Sequence, residues 1–285
     1  MSRIAYVNGR YLRHAEASVH IEDRGYQFAD GIYEVCGVRG GMLMDETLHL
    51  ERMQRSLGEL RIALPVKLPA LRHILREVVA RNRIKNGMVY FQITRGVAPR
   101  DHPFPSAATR PALVVTAKRL NEARVAIAVE KGVAVVTMPD LRWARRDIKS
   151  VALLPNILAK QAAREAGAYE AWLVDAEGYV TEGSSTNAWI VDAEGRLVTR
   201  PAGPDILNGV TRRVLLEAAK REGIEVIERA FTPEEAKTSR EAFISASSAV
   251  LIPVVRIDGE PVGNAAPGST TLRLRDAYRQ IGELS

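Results

Sequence analysis

The stretch AWLVDAEGYVTEGSSTNAWIVDAEGRLVT, residues 171–199, decides the fold class of this chain. It alternates short apolar runs with turn sequences, Ala-Glu-Gly twice and Gly-Ser-Ser once. Runs of this length between glycine-containing turns predict a meander of β-strands. Residues 155–167 and 211–223 flank the stretch and read as helices, the first with a proline near its start and a glycine just past its end. Strands and helices mixed in this way predict an α+β protein.

The N-terminal half shows the same mixture. Ile4–Val7 runs into Asn8-Gly9, a dipeptide that favours a tight hairpin turn. Apolar residues recur at helical spacing over residues 46–62 and again over 71–79. Around these helices the pattern predicts strands at 33–38, 89–95 and 112–117.

The apolar pattern lapses around residues 119–124, where we place a domain boundary. The prediction is a smaller N-terminal α+β domain over 1–120 and a larger C-terminal domain over 121–285, with antiparallel and mixed sheets. The second domain is expected to open with strands over 125–137. Further along, Thr232-Pro233-Glu234-Glu235 has the composition of a capping box and predicts the start of a helix.

Composition and charge restrict the classes of function. With 46% hydrophobic and 26% charged residues, the chain has the balance of an ordinary soluble globular protein. The single cysteine, Cys36, cannot form an internal disulfide, and no signal peptide or membrane-spanning run is evident, so we expect a cytoplasmic protein with no membrane partner. The net charge of +6 is spread along the chain, which favours anionic small molecules over nucleic acid.

Metal and nucleotide signatures are absent from the sequence. It contains no cysteine pair and no closely spaced histidines, so no metal site is expected. It also lacks a P-loop and a glycine-rich dinucleotide fingerprint.

Lys149 is the first candidate for chemistry. It follows Asp147-Ile148 and precedes an apolar run over 151–154. Taken alone, it is more simply interpreted as a surface lysine at the end of a strand. A lysine flanked by apolar residues can, however, form an imine with an aldehyde cofactor and move protons.

Two segments could complete a cofactor site. Glu182 ends a predicted strand and enters a hydroxyl-rich turn; a carboxylate that faces a pyridine nitrogen would keep that nitrogen protonated. Residues 207–212 lead directly into a helix, whose N-terminal amide groups attract phosphate. A solvated turn carboxylate and an ordinary helix cap are the simpler alternatives for these two segments.

Arg100 and His102 lie two residues apart in a loop that contains glycine and proline. Side chains at positions i and i+2 of an extended segment point the same way. A guanidinium and an imidazole together could therefore bind a carboxylate. A solvated basic loop is the alternative interpretation.

In this order, the segments resemble the fold type IV pyridoxal 5′-phosphate (PLP) enzymes. These include D-amino acid aminotransferases, branched-chain aminotransferases, (R)-amine transaminases and aminodeoxychorismate lyases. The resemblance runs from about Tyr6 to Ile257, and its best stretches are residues 22–34, 147–150, 181–187 and 206–212. It implies PLP as the cofactor and two α+β domains.

The resemblance also implies a role for each matching residue. Lys149 would hold the cofactor and carry protons, while Glu182 would face the ring nitrogen. The remaining cofactor contacts would come from Arg52, which would bind the phosphate, and from Leu207, Val210, Thr211 and Ser247. Two departures are Ala246, which replaces a hydroxyl residue of well-known D-amino acid enzymes, and one extra residue in the turn at 176–178.

Tyr33, Arg100 and His102 resemble the carboxylate-binding group of the D-amino acid aminotransferases. In that subgroup the loop with the basic pair comes from the neighbouring subunit, so a homodimer with shared active sites is implied. We therefore expect ping-pong transfer of an amino group from a D-amino acid such as D-alanine to a 2-oxo acid such as 2-oxoglutarate. The alternatives are a branched-chain L-amino acid aminotransferase, an aminodeoxychorismate lyase, an (R)-amine transaminase and a non-catalytic relative.

Overall fold

The computed structural model describes residues 3–285. Its N-terminal elements are β1 (Ile4–Val7), β2 (Arg10–Arg13), α1 (Arg24–Phe28), β3 (Gly31–Arg39), β4 (Met42–Leu43), α2 (Glu46–Glu59), α3 (Leu68–Arg81), β5 (Gly87–Thr94) and β6 (Ala112–Arg119). The later elements are α4 (Glu122–Lys131), β7 (Val133–Pro139), α5 (Leu154–Glu165), β8 (Glu170–Val174), β9 (Val180–Gly183), β10 (Asn187–Val191), β11 (Leu197–Thr199), α6 (Val210–Arg221), β12 (Val226–Glu228), α7 (Pro233–Thr238), β13 (Glu241–Ala246), β14 (Val250–Ile257), β15 (Glu260–Pro261) and α8 (Ser269–Ile281). The predicted α+β class is confirmed.

The chain divides into two compact units. Unit 1 extends to Leu120 and includes Ile148–Ala152 and Glu283–Ser285, while unit 2 holds Asn121–Asp147 and Leu153–Gly282. Lys149 therefore packs with unit 1, whereas the sequence prediction places it in the 121–285 domain. The cause is local, because the main chain around Lys149 forms hydrogen bonds with β3.

Unit 1 is built on a six-stranded antiparallel sheet with the order β2-β1-β6-β5-β3-β4. The predicted first hairpin is present, and Asn8 and Gly9 take the positive φ values of 46° and 96° that tight hairpin turns need. Helix α2 packs on β3, and α3 on β1, β5 and β6. The apolar stripe of α2 (Leu50, Met53 and Leu57) is buried in this core, as its helical spacing predicts.

Unit 2 is built on a nine-stranded mixed sheet. Eight strands follow the order β12-β11-β10-β13-β14-β7-β8-β9, and β15 pairs with β14. The stretch at 171–199 forms two hairpins, β8–β9 and β10–β11, separated in the sheet by β13, β14 and β7. The expected continuous meander is therefore interrupted at the Gly-Ser-Ser turn. There the hydroxyls of Ser184 and Ser185 donate to the fully buried carboxylate of Glu170.

The prediction of strands throughout 125–137 is wrong in its first part. Residues 122–131 form α4, and only then does β7 begin. The side chain of Asn121 accepts a hydrogen bond of 3.0 Å from the backbone of Arg124, which caps the helix. Val125 and Ala128 face the core of unit 2, whereas Ile127 is 53% exposed. A one-sided apolar stripe of this kind belongs to a helix at the surface.

The other predicted helices are confirmed, with ends that differ by a few residues. The capping box is also confirmed, since Thr232 Oγ1 accepts a hydrogen bond of 3.1 Å from the backbone of Glu235 at the start of α7. Across residues 3–285, none of the helices combines the length and the apolar character that crossing a bilayer requires.

Candidate active site

The segment with Lys149 lies along β3 in unit 1. The backbone of Tyr33 donates to the carbonyl of Lys149 at 3.0 Å, and that of Val151 donates to the carbonyl of Gly31 at 3.1 Å. The backbone of Lys149 also lies 3.4 Å from Ser56 Oγ on α2. These contacts fix the main chain at Lys149 from two sides and leave its side chain half-buried.

The Lys149 amine lies against an aromatic ring. Its Nζ is 4.2 Å from the ring centroid of Tyr33, which itself stacks on Tyr90 at 5.6 Å. Among residues 3–285 this amine forms no hydrogen bond and no ion pair. A lysine held by its main chain and left without an acidic partner is suited to nucleophilic and proton-transfer chemistry.

Arg52 belongs to a buried charged cluster in unit 1. Its Nε and Nη2 each donate to the carboxylate of Glu34 at 2.8 Å, and His49 Nδ1 lies 2.7 Å from the same carboxylate. Burial opposes the charge of Glu34, but Arg52 outweighs it and holds the pKa of this carboxyl well below its usual range. Burial lowers the pKa of His49 despite the nearby carboxylate. Arg52 is thus oriented by Glu34.

The loop with Arg100 and His102 packs on Phe28 in unit 1. The guanidinium of Arg100 lies 4.6 Å from the Phe28 ring centroid, and the His102 ring lies 5.6 Å from it. Buried Arg24 holds the loop by donating to the carbonyls of Asp101 and His102. Within residues 3–285 no hydrogen bond or ring contact joins Tyr33 to this basic pair. The structure therefore does not bring these three predicted carboxylate ligands together in one chain.

Glu182 is a buried carboxylate at the end of β9 in unit 2. Its Oε2 accepts from Asn187 Nδ2 at 3.0 Å, and the backbone of Leu207 donates to both oxygens at 3.1 and 3.2 Å. Arg142 Nη1 donates to Oε1. Hydrogen bonds from donors favour the ionised form of a carboxyl group. The simple turn carboxylate that the local sequence also allowed is therefore ruled out.

Val210 and Thr211 form the first turn of α6 in unit 2. The residue before them, Gly209, provides no side-chain cap, so the first amide groups of the helix are not satisfied by a capping side chain. The hydroxyl of Thr211 is buried and has no hydrogen-bond partner among residues 3–285. A Cβ at Gly209 would collide with the amide oxygen of Asn187. Uncapped amides beside an unpartnered hydroxyl suit a phosphate group.

The remaining predicted contacts also lie in unit 2. Leu207 is half-buried, and its carbonyl accepts from Asn187 Nδ2 at 2.9 Å, so Asn187 ties it to Glu182. Ser247 is half-buried in the turn between β13 and β14. Ala246 pairs with Val250, whose φ of 65° is unusual for a β-branched residue.

Sequence reasoning missed the residues that support these groups. Glu34 occupies an inward-facing position of β3 between Ile32 and Cys36, and a carboxylate there needs buried partners. An acidic residue at an inward-facing strand position can be recognised in the sequence, and it indicates a buried charge with a partner. Arg142 carried no such signal, because it stands in an irregular segment, and only the folded chain brings it to Glu182.

Comparison with known proteins identifies the family. A family model described as Amino-transferase class IV matches residues 31–257. The chain belongs to the class IV aminotransferases. Among its relatives, the D-alanine aminotransferase of Staphylococcus haemolyticus is 40% identical over 278 residues, which cover 98% of this chain and 97% of that protein. The D-alanine aminotransferase of Bacillus licheniformis is 39% identical over 272 residues, which cover 95% and 94%.

Solved structures share the fold at lower identity. The branched-chain amino acid aminotransferase of Escherichia coli superposes with a TM-score of 0.89 at 24% identity and covers 99% of this chain and 95% of its own. The T.th. branched-chain amino acid aminotransferase with pyridoxamine 5′-phosphate gives a TM-score of 0.86 at 25% identity, with 98% and 94% covered. The similarity to the Escherichia coli enzyme, at 24% identity, supports only the fold.

Proposed function

We propose that this aminotransferase uses PLP to move the amino group of a D-amino acid, such as D-alanine, to a 2-oxo acid, such as 2-oxoglutarate. Identity of about two residues in five with named D-alanine aminotransferases, over nearly the whole chain, carries the proposal. The pyridoxamine 5′-phosphate in a solved relative supports the cofactor. Two half-reactions on one enzyme give ping-pong kinetics.

Lys149 is the residue that binds the cofactor and moves protons. When bound, PLP supplies a ring that withdraws electrons from the substrate α-carbon. The Lys149 amine would hold the cofactor at its aldehyde carbon and would yield that position to the substrate amine. Lys149 then takes the proton from the substrate α-carbon and returns one to cofactor C4′. An amine without ion-pair partners is suited to both tasks.

Glu182 is the partner of the cofactor ring nitrogen. An anionic carboxylate there keeps the nitrogen protonated, and a protonated ring withdraws electrons more strongly. The donors around Glu182 favour its ionised form. Leu207, whose backbone binds this carboxylate, would contact the ring.

The start of α6 and Ser247 would hold the cofactor phosphate, and Arg52 would be a further phosphate ligand. The uncapped amides of Val210 and Thr211, and the unpartnered Thr211 hydroxyl, are donors for its oxygens. Arg52 adds a positive charge that Glu34 keeps oriented.

The substrate carboxylate is bound by Tyr33, Arg100 and His102, with the basic pair supplied by a second copy of the chain. The lack of contact between Tyr33 and this pair in one chain supports that arrangement. A homodimer is further supported by the exposed apolar side chains of Leu154, Ile157 and Leu158 on α5. We also propose that the enzyme works in the cytoplasm without membrane or nucleic-acid partners, in keeping with its single buried thiol.

A branched-chain L-amino acid aminotransferase is the second candidate. The specific observation in its favour is the TM-score of 0.86 with an enzyme of that name at 25% identity. The 40% identity with D-alanine aminotransferases outweighs it. Neither an aminodeoxychorismate lyase nor an (R)-amine transaminase has a comparable observation on its side.

The visible absorption of the purified holoenzyme tests the function. Addition of D-alanine alone should remove the visible band of the bound cofactor, since the amino group moves onto it, and 2-oxoglutarate should restore the band. L-leucine should leave the band unchanged. A loss of the band with L-leucine and none with D-alanine would select the branched-chain enzyme.

A further inference from the structure

Arg142 donates to two buried carboxylates at once in unit 2. Its Nε and Nη2 pair with the two oxygens of Asp140 at 2.9 and 2.8 Å, and its Nη1 donates to Glu182. The Arg142 side chain is 8% exposed, and that of Asp140 is fully buried. When one edge of a guanidinium group is hydrogen-bonded to a carboxylate, its remaining N–H groups point in a fixed direction.

Asp140 is itself held in place. Thr181 Oγ1 donates to it at 2.8 Å, the backbone of Arg142 donates at 3.1 Å, and Arg146 Nε lies 3.3 Å away. Burial opposes the charge of Arg142, but the hydrogen bonds with Asp140 and the charge of Glu182 outweigh burial and raise its pKa above the usual value. Arg142 is therefore held in its charged form.

Glu182 receives donors on both oxygens. Oε1 accepts from Arg142 and from the backbone of Leu207, while Oε2 accepts from Asn187 and from the same backbone group. Of these donors only Arg142 carries a charge. It is therefore the donor that most strongly favours the ionised form of Glu182.

We infer that Arg142 is a positioning residue that, anchored by Asp140, keeps Glu182 ionised so that the proton between the carboxylate and the cofactor ring nitrogen stays on the nitrogen. The inference rests on the proposed role of Glu182. An ion pair that only stabilised the fold would not influence the position of this proton.

The chemistry involves one proton and two basic sites. When Arg142 is removed, Glu182 loses its charged donor and becomes the stronger base of the two. The proton then moves from the ring nitrogen to a carboxylate oxygen, and no other bond changes. A neutral ring withdraws electrons less, so removal of the α-proton by Lys149 becomes slower.

The test is the Arg142→Met variant reconstituted with PLP that carries an isotopic label at the ring nitrogen. We expect nitrogen NMR to find the ring protonated in the wild type and deprotonated in the variant. We expect kcat to fall about 10- to 100-fold, as for loss of one hydrogen bond to a charged group, with little change in KM for D-alanine. Arg142→Lys, which keeps the charge but not the fork, should be intermediate in both readouts.

Arg196→Met is the matched control. Arg196 pairs with Asp192 at 2.7 Å in the same unit but has no contact with Glu182. This variant should keep a protonated ring and a normal kcat. Circular dichroism and thermal unfolding check that all variants are folded; if Arg142→Met does not fold, Arg142→Lys alone decides.

The Glu182→Gln variant distinguishes the proposed role of Glu182 from the inferred role of Arg142. If the ring stays protonated in Glu182→Gln, the proposed role of Glu182 fails. If the ring is deprotonated in Glu182→Gln but protonated in Arg142→Met and Arg142→Lys, only the role of Arg142 is overturned. Deprotonation in both Glu182→Gln and Arg142→Met supports both roles.

Discussion

Lys149 in unit 1 and Glu182 in unit 2 are held in opposite ways. The main chain of Lys149 is fixed by β3 and Ser56, while its amine has no hydrogen bond or ion pair within residues 3–285. The Glu182 carboxylate, by contrast, receives donors from Arg142, Asn187 and Leu207. A group that must form and break bonds is left free at its reactive end. A group that must keep one charge is surrounded by partners. Because of this difference, we expect substitutions of the two residues to affect activity and stability to different extents.

The largest effect is expected for Lys149→Ala. Turnover of D-alanine should fall about 10⁴-fold or more, since both cofactor attachment and proton transfer are lost. The free energy of unfolding of the apoprotein should change by less than about 1 kcal/mol, because the amine has no polar partner to leave behind. Steady-state kinetics and urea unfolding measure the two quantities. Lys118→Ala, at an exposed site on β6, is the control, and near-normal turnover in Lys149→Ala would refute the assignment.

Glu182→Gln should reduce turnover less than Lys149→Ala does and should reduce stability more. Turnover should fall about 100-fold, because the ring nitrogen loses its anionic partner while Lys149 remains. The apoprotein should be less stable by about 1–3 kcal/mol, because Arg142 loses an ionised acceptor in a buried site. The same two measurements apply. A variant as stable as the wild type would mean that the donors around Glu182 contribute nothing to the fold.

Glu34→Gln extends the comparison to the carboxylate cluster of unit 1. The change removes the negative charge from the carboxylate that accepts from Arg52 in a buried site, and should cost about 3–5 kcal/mol at neutral pH. The pKa of Glu34 is lower in the folded than in the unfolded chain, because Arg52 outweighs the opposing effect of burial. Its contribution is therefore present above the unfolded value of about 4.3 and lost as the pH falls towards the folded value.

Urea unfolding across a pH series measures this dependence. The difference in unfolding free energy between the wild type and Glu34→Gln should be constant above about pH 5 and shrink steadily below about pH 4. Glu77→Gln, at a half-exposed ion pair on α3, is the matched control and should change stability by less than about 1 kcal/mol at any pH. A difference that does not depend on pH would contradict the assigned charge of Glu34.

The smallest effect is expected for Thr211→Val. The apoprotein should be as stable as the wild type or slightly more so, because the hydroxyl has no partner to lose. The dissociation constant for PLP should rise about 3- to 10-fold if that hydroxyl donates to the phosphate. Thr199→Val is the control, since its hydroxyl donates to the carbonyl of Ala188 at 3.0 Å. That control should lose stability and keep its affinity for PLP.

The fold was predictable wherever one local signal had one meaning. Asn8-Gly9 strongly favours a hairpin turn, and the sequence from Thr232 to Glu235 strongly favours the start of a helix. The structure contains both features. The segment at 125–131 combines β-branched residues with alanine and was misread as a strand. Its helix is set by the Asn121 cap, which is a local signal, and by contacts of Val125 and Ala128 with the core, which lie outside any short window.

The candidate site was predictable as individual residues but not as a network. Family resemblance pointed to Lys149 and Glu182, since these stand in recognisable segments. Arg142 and Asp140 could not be found in that way, because their importance comes from folding the segment before Lys149 against β9. Likewise, the placement of Lys149 in unit 1 depends on hydrogen bonds with β3 that the order of residues does not show.

The way in which β3 holds the Lys149 segment has a consequence for mutational tolerance. The contacts run between backbone groups, as in the bridge between Ile32 and Ser150, and most residue types could form the same ones with their main chain. Replacement of the neighbours of Lys149 by residues of similar size should therefore be tolerated. A deletion or insertion of one residue beside Lys149 should not, because it would displace the residue that forms the bridge with Ile32 and change the direction of the Lys149 side chain. The amine would then face away from Tyr33, in a protein whose composition had hardly changed.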